Sequence, residues 1–350
     1  MREERLIKRP ALGHAFAICS IALVACGVVG MLTRPVGREV IGISMGPGLL
    51  PGDVIGSARL PLADRFRRPS RYERWIVRNP EGGEAVKRLV AGDGESLSIE
   101  KGDLVVDGRV LLKSPRELAE MASGVHLERS VKADSDRAAS GANGGQSWRF
   151  ETDAVYDDAV FAPKEKRWLL EVRDVGITGI VSLPAGQRSR LCCRVGDHMI
   201  GWSLEGPGGV AFIAGRLDRH LVAVAWHATS ASPIDGTHPD GDGDVSAGGP
   251  WFPADLPEWW SITESWHDGD MDPLLLGIDL SGNGASIAMA AVWRDGHHLP
   301  EKSGRSEWSI PRGEWFFLGD HPPASVDSRT WGPLGRERLL YRVSSVRRSR

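Results

Sequence analysis

Two side chains in the first quarter of the sequence could together perform nucleophilic chemistry. Ser44 stands in the Gly- and Pro-rich stretch GISMGPGLLPGD (residues 42–53), and Lys87 stands in GGEAVKRLVAGDGESLSI (residues 82–99). A serine hydroxyl attacks a carbonyl carbon effectively only when a nearby base removes its proton. A lysine amine can be that base when apolar surroundings keep it neutral near pH 7. A lone serine in such a stretch is more often a turn residue, and a lone lysine on a strand is more often solvated. Further motifs are therefore needed to support catalysis by this pair.

A third stretch, FFLGDHPPASVDSRTWGPL (residues 316–334), gathers polar side chains into one predicted loop near the C-terminus. On its own, this loop predicts a turn held by an Asp–Arg ion pair. Its members of interest are Gly319, Asp320, Ser325, Asp327, Ser328 and Arg329.

The element that carries Lys87 is predicted to be a β-strand. Side chains alternate between the two faces of a strand, which places Lys87 on the same face as Ala85 and Leu89. Lys87 therefore points in the direction of small and apolar side chains. The other face carries Val86, Arg88 and Val90.

An apolar run precedes the serine. Residues 11–33, ALGHAFAICSIALVACGVVGMLT, are long enough to cross a bilayer as one helix, and basic residues are concentrated in residues 1–10. We therefore predict a transmembrane helix over 11–33, a cytoplasmic N-terminus over 1–10, and a single-pass protein of the inner (cytoplasmic) membrane whose catalytic part is extracytoplasmic. Two alternatives stay open, namely removal of the run as a signal peptide and lipidation of Cys26 in LVAC.

The composition limits the fold class and the partners. A chain of 350 residues suffices for one large or two ordinary domains, and its 43 Gly and 22 Pro predict many turns and a mainly β structure. The net charge of −3 gives no reason to expect binding to nucleic acid. Four cysteines are too few for a disulfide scaffold, and no zinc-ligand spacing occurs, so we expect neither metal nor cofactor.

Taken together, the stretches SMGPGLLPGD, VKRLVAGDGE and GDHPPASVDSR resemble the three sequence boxes of the membrane-bound type I signal peptidases. The boxes follow a transmembrane segment in the order found in that family. The resemblance covers roughly residues 10–115 and 308–345, including IEKGDLVVDGRVLLKS (99–114), which looks like the family's hairpin with a tight turn at Asp107-Gly108.

The resemblance implies a role for each matched residue. Ser44 would be the nucleophile and supply the backbone N–H of the oxyanion hole, and Lys87 would be the general base. Ser325 would orient the lysine, and Met45 would line the substrate cleft. The remaining residues, Asp320, Asp327 and Arg329, would support the site structurally.

Several positions depart from the family's pattern. Gly48 stands where the family has threonine, His321 where it has asparagine, and Asp93 where it has proline. Gly42, two residues before the serine, offers no hydroxyl, so the oxyanion hole would rely on backbone N–H groups. Losing one oxyanion donor costs about 3 kcal/mol, so these departures predict a slower enzyme without removing Ser44 or Lys87.

The middle of the chain, residues 115–310, is longer than the reaction needs. Short alternating runs separated by Gly, Pro and Asp predict an antiparallel β-sandwich, similar in strand rhythm to the concanavalin/laminin-G-type sandwich inserted in some planctomycete signal peptidases. Residues 272–299 are predicted to form a hairpin turning at 281–285, and the ligand of the sandwich is unknown. An aromatic group suited to core packing or to sugar or peptide binding comprises Trp251, Phe252, Trp259, Trp260 and Trp266.

These patterns predict a fold that is mainly β, with an N-terminal transmembrane helix and a signal-peptidase-like β core interrupted by the sandwich. The expected parts are 1–10, 11–33, core residues 34–114, the insertion 115–310 and core residues 311–350. The strands at 101–112 and 314–318 are expected to be neighbours in one sheet. Replacing the insertion by a short linker is then expected to leave a folded core.

The resemblance implies a membrane-bound serine endopeptidase that cleaves signal peptides from exported preproteins by a Ser/Lys dyad, with preproteins and membrane lipid as its partners. One alternative is a catalytically weak or inactive relative that acts as a membrane-anchored binding module through its sandwich. Another is the LexA-type self-cleaving Ser/Lys class, which also uses a Ser-Met box. The apolar run and the C-terminal box count against this class, and no DNA-binding helix pair precedes the serine.

Overall fold

A computed structural model describes residues 36–57, 68–125, 146–152, 154–156, 169–228, 252, 255–265 and 274–349. The predicted transmembrane helix at 11–33, with Cys26, lies outside the described residues, as do Trp251 and Trp266. Within the described ranges, no helix combines the length and the apolar character needed to span a bilayer.

The described chain is mainly β, as the sequence predicts. Two α-helices, α1 and α2, span Pro115–Met121 and Ser328–Trp331, and short 3₁₀ helices span Pro322–Ala324 and Arg336–Arg338. The strands β1 to β21, in chain order, are Val36–Glu39, Val54–Ser57, Arg74–Arg78, Glu84–Gly92, Ser96–Glu100, Asp103–Val106, Arg109–Val110, Ser123–Gly124, Gln146–Thr152, Val175–Leu183, Arg188–Val195, His198–Glu205, Gly208–Leu217, His220–His227, Ile262–Ser265, Leu274–Ser281, Ser286–Arg294, Glu307–Ser309, Glu314–Leu318, Leu334–Gly335 and Leu339–Arg347.

A seven-stranded antiparallel sheet, which we name sheet A, contains both the first and the last of the described strands. Its order is β1-β2-β21-β3-β4-β19-β20. The strand that carries Lys87, β4, lies near its centre between β3 and β19. The predicted pairing of 314–318 with 101–112 is therefore wrong. Strand β19 pairs with β4, because its apolar residues Phe316 and Phe317 pack on both sides of that buried strand.

Sheet B contains four strands in the order β18-β5-β6-β7. Its β6–β7 hairpin turns at Asp107 and Gly108, whose φ angles of 48° and 74° are those of the predicted tight turn. Strand β18 pairs with β5, and its Trp308 is buried in a core shared with sheet A. The boundary predicted at residue 310 is therefore too late in the chain, since β18 packs with the flanking strands.

Sheets C and D are built from the strands between residues 123 and 294. Sheet C has the order β15-β14-β13-β10-β17-β8, and sheet D has the order β12-β11-β16-β9. The two sheets bury a common apolar core that includes Phe212 of sheet C and Leu191 of sheet D. The hairpin predicted over 272–299 is wrong, because β16 lies in sheet D and β17 in sheet C. The chain crosses between sheets at residues 282–285.

A buried ion cluster joins these sheets to the rest of the protein. Lys113, which precedes α1, has its Nζ 2.7 Å from a carboxylate oxygen of Asp218 in the β13–β14 turn. The same Nζ lies 2.7 Å from a carboxylate oxygen of Asp295, directly after β17. All three side chains are almost completely buried. The chain therefore enters and leaves sheets C and D at one ionic contact.

Candidate active site

Lys87, Ser44 and Ser325 converge at one point. The Nζ atom of Lys87 lies 2.8 Å from Ser44 Oγ and 3.1 Å from Ser325 Oγ, close enough to donate a hydrogen bond to each. Ser44 is in the loop after β1, Lys87 is on β4, and Ser325 follows the 3₁₀ helix at 322–324. Lys87 and Ser325, which are 238 positions apart in the sequence, thus share one small polar site with Ser44.

The environment of Lys87 favours the neutral amine. Its side chain is 2% exposed, and burial lowers its pKa from the usual 10.5 to about 8. The carboxylates of Asp327 and Asp320 act in the opposite direction and raise this pKa, while Arg329 lowers it. Burial is the dominant effect, so Lys87 loses its proton far more readily than a solvated lysine does.

The backbone of the C-terminal loop packs closely against the nucleophile loop, which places Ser44 and Ser325 next to each other. The His321 N–H donates to the Ser44 carbonyl oxygen at 3.1 Å, which ties the C-terminal loop to the nucleophile loop. A Cβ atom placed on Gly319 would lie 2.2 Å from Ser325 Oγ and 2.4 Å from the Ser44 carbonyl oxygen. Only glycine fits between the two serines without moving one of them.

Behind the lysine, Arg88 and Asp320 form a buried bidentate ion pair. The Nε and Nη2 atoms of Arg88 donate to the two carboxylate oxygens of Asp320 at 2.8 and 2.7 Å. Both side chains are 1% exposed. Arg88 Nη1 also donates to the carbonyl oxygen of Tyr72 at 2.8 Å and to Glu120 at 3.2 Å. This pair fixes the C-terminal loop on the strand that carries Lys87.

Asp327 and Arg329 organise the loop that carries Ser325. Asp327 caps α2 and accepts from the Arg329 guanidinium at 2.8 Å and from the Gly319 N–H at 3.0 Å. Arg329 also donates to the carbonyl oxygens of Pro322 and Ser325 at 3.0 and 3.3 Å. The ion pair therefore satisfies buried backbone groups on both sides of the serine.

Two departures from the signal peptidase pattern have a structural reason. A Cβ on Gly48 would lie 2.6 Å from the carbonyl oxygen of Glu120, so the helix α1 leaves no room for threonine. Asp93 and Gly94 have φ angles of 51° and 92°, and the ring of proline cannot adopt a positive φ. Met45 is buried in the apolar cluster beneath the nucleophile loop, 1% exposed.

One acidic group outside the site has metal-like spacing. Carboxylate oxygens of Asp103, Asp174 and Asp218 lie within 4.8 Å of one another. Lys113 and Arg219 already donate to Asp218 and Asp103, both at 2.7 Å. Burial raises the pKa of Asp218 to about 7 and raises that of Asp174 well above its usual range. Protons and side-chain cations thus balance much of this charge, and the group does not fit a metal site.

Two features near the Ser44/Lys87 site could not be predicted from the sequence. Glu120 reaches Arg88 from a helix of the middle segment, and a glutamate on a short helix normally faces solvent. A cleft of about 1000 Å³, to which neither Ser44 nor Lys87 contributes, is lined among others by Gly48, Glu120 and Trp259. Trp259 is 78% exposed.

A comparison with models of protein families agrees with the family that the three sequence boxes predict. The family model described as "Signal peptidase, peptidase S26" matches residues 12–167 and 287–346, which is more than half of the chain. The protein belongs to the signal peptidase family S26, and the predicted family is confirmed. The match is interrupted between residues 168 and 286, where β10 to β16 lie. No curated protein matches the chain significantly.

Proposed function

We propose that this protein is a membrane-bound serine endopeptidase that cleaves signal peptides from exported preproteins, with Ser44 as nucleophile and Lys87 as general base. The observation that carries the proposal is the position of the buried Lys87 amine, 2.8 Å from Ser44 Oγ and 3.1 Å from Ser325 Oγ. Membership of the signal peptidase family supplies the reaction class.

In the proposed mechanism, the neutral Lys87 amine removes the proton of Ser44 as its Oγ attacks the scissile carbonyl carbon. The ammonium so formed gives its proton to the leaving amine, and the acyl-enzyme remains on Ser44. The neutral Lys87 amine then removes a proton from water, whose oxygen attacks the acyl carbon. The bond from that carbon to Ser44 Oγ breaks, the Lys87 ammonium returns the proton to Oγ, and the product acid is released. Ser325 would hold Nζ in line, because its Oγ lies 3.1 Å from Nζ and a hydroxyl oxygen can accept a hydrogen bond from an amine or from an ammonium.

The oxyanion of the tetrahedral intermediate would be stabilised by the backbone N–H of Ser44. Gly42 has no side chain that could add a second donor from this loop. The ion pairs Arg88–Asp320 and Asp327–Arg329 do not touch the reacting atoms in this mechanism; they keep the loops of Ser44 and Ser325 in place.

The substrate would bind as an extended strand along an edge near Ser44, with alternate side chains in pockets. Small residues such as alanine would precede the cut, as the family resemblance implies, whereas Met45, which is 1% exposed, would support the nucleophile loop from beneath and would not line the cleft. Ile41 and Val326, close in sequence to the two serines, are 88% and 58% exposed and give the site an apolar border. Such an apolar border suits an enzyme that the predicted helix at 11–33 holds at the membrane surface, where it would meet its substrate.

A cleavage assay tests the proposal directly. The full-length protein in detergent is incubated with a preprotein that carries alanine at two alternate positions before the cut. We expect a single cleavage after the second alanine, identified by mass spectrometry of both products. Absence of cleavage of this preprotein, and of variants with serine or glycine at those positions, would contradict the proposed activity.

The pH dependence of kcat/KM should report the ionisation of Lys87. The base acts only when neutral, and burial lowers its pKa to about 8. Activity should therefore fall about tenfold for each pH unit below about 8, because the protonated fraction rises as pH falls. A profile whose acid limb lies near the free-lysine value of about 10.4 would show that Lys87 is solvated and is not the base.

Gly319→Ala should impair turnover without unfolding the protein. The new methyl group must displace Ser325 Oγ or the Ser44 carbonyl oxygen, which lie 2.2 and 2.4 Å from its position. A displacement of about 1 Å at a catalytic group can cost about 100-fold in rate. The control is Gly201→Ala on β12, where the nearest atom lies at an ordinary 3.5 Å. Equal kcat values for the two variants would contradict the proposed arrangement of the serines.

A further inference from the structure

Helix α1 packs against sheet C of the inserted segment. Its N-terminus is fixed by a capping box between Ser114 and Glu117. Its Leu118 is completely buried in a cluster with Ile213 of β13 and Trp293 of β17. The position of the helix is therefore set by the sheets that separate the lysine box from the C-terminal box.

The C-terminal end of the same helix rests on the nucleophile loop. The carbonyl oxygen of Glu120 comes so close to Gly48 that a Cβ there would lie only 2.6 Å away. Gly48 is four residues after Ser44, and the Leu49 N–H donates to the Met45 carbonyl oxygen at 2.7 Å within this loop. A shift of α1 would therefore be transmitted to the backbone beside the nucleophile.

The side chain of Glu120 reaches the element that carries Lys87. Its carboxylate lies 3.2 Å from Nη1 of Arg88 and 3.4 Å from Nη2 of Arg74. Arg88 is fully buried, and Glu120 adds a second carboxylate to the one that Asp320 supplies. The two arginines flanking Glu120 lower its pKa against the opposing effect of burial, which keeps the carboxylate charged.

We propose that Glu120 is a positioning residue of the Ser44/Lys87 site, through which the inserted sheets set the geometry of the dyad. The residue contacts two of the three boxes directly, Gly48 through its carbonyl oxygen and Arg88 through its carboxylate, and it reaches Asp320 of the third box only through Arg88. This inference rests on the proposed peptidase function. It predicts that the insertion is part of the catalytic architecture, so that replacing residues 115–294 by a linker, which leaves β18 in place, would cost activity even where the core still folds.

The test compares Glu120→Ala with Glu120→Gln in the full-length protein, using a short peptide with alanine at two alternate positions before the cut. Glu120→Ala should lower kcat about tenfold with KM unchanged within about twofold, because alignment and not substrate contact is lost. Glu120→Gln keeps an acceptor for Arg88 and should recover kcat to within about threefold of the native value. The matched control is Glu258→Gln. Glu258 is exposed and lines the cleft of about 1000 Å³ to which Glu120 also contributes. Melting temperatures are measured in parallel, since a merely stabilising contact would lower these and leave kcat unchanged.

A double-mutant cycle that combines Glu120→Ala with Gly48→Ala tests whether Glu120 acts through the contact between α1 and the nucleophile loop. Gly48→Ala should lower kcat in the native background and cost clearly less in the Glu120→Ala background, where the C-terminal end of α1 is no longer tied to Arg88 and Arg74 and can yield to the new methyl group. Multiplicative effects, a native kcat in Glu120→Ala, or a change confined to KM would each overturn the inference. Failure of the proposed function would look different: the native chain would not cleave the peptide, or Ser44→Ala would cleave it equally well.

Discussion

Replacing Ser44 or Lys87 by alanine in the full-length protein is expected to lower kcat by about 10³-fold or more while the fold stays intact. The two residues act as a unit, so the double variant should be no less active than either single variant. Lys87→Arg should fail as well, because a guanidinium keeps its proton and cannot act as a base. The measurement is cleavage of the alanine-bearing preprotein under single-turnover conditions.

The control for this experiment is Lys302→Ala, which removes an exposed lysine outside the three boxes. Near-native turnover by Lys87→Ala would show that another group is the base. Near-native turnover by Ser44→Ala would show that the nucleophile lies elsewhere. Circular dichroism of each variant establishes that lost turnover reflects lost chemistry.

The second large effect concerns stability. Arg88→Ala removes the buried partner of Asp320 and leaves that carboxylate with neither water nor a counter-ion, since both side chains are 1% exposed. Breaking a buried ion pair on one side costs about 3–5 kcal/mol. We expect a loss of this size in the free energy of unfolding, measured by urea denaturation, together with loss of cleavage.

An exposed ion pair provides the comparison for Arg88→Ala. The side chains of Arg188 and Glu205 are 89% and 69% exposed although their charged atoms lie 2.9 Å apart. Arg188→Ala should cost at most about 1 kcal/mol, because water screens the charges. A loss for Arg88→Ala no larger than that of Arg188→Ala would mean that Asp320 finds another partner, and that the pair does not hold the C-terminal loop on β4.

The sequence was most informative where local pattern and motif order coincide. Alternation placed Lys87 on a strand, and the strand is β4, in the interior of sheet A. The order of the three boxes predicted that Ser44, Lys87 and Ser325 meet, and their polar atoms lie within 3.1 Å of Lys87 Nζ. The turn at Asp107-Gly108 was predictable because its residue types favour positive φ.

Non-local choices could not be predicted in the same way. Strand β19 has the same apolar pattern whether it pairs with β4 or with β6, and only the packing of the whole sheet decides. The segment at 282–285 reads as a hairpin turn, yet it connects two different sheets. Glu120 looks like any solvent-facing helix residue, since its partner Arg88 lies 32 positions earlier in the chain.

The meeting of Lys113 with Asp218 and Asp295 has a consequence for the inheritance of the gene. Lys113 stands where the chain enters the inserted sheets, and Asp295 stands where the chain leaves them. The Nζ atom of Lys113 lies 2.7 Å from carboxylate oxygens of Asp218 and of Asp295. A recombination event with one breakpoint between residues 113 and 295 would separate Lys113 from Asp295 and leave an unpaired charge in the interior. Viable exchanges should therefore have both breakpoints outside residues 113 and 295, so that the three charges are transmitted to the descendant together.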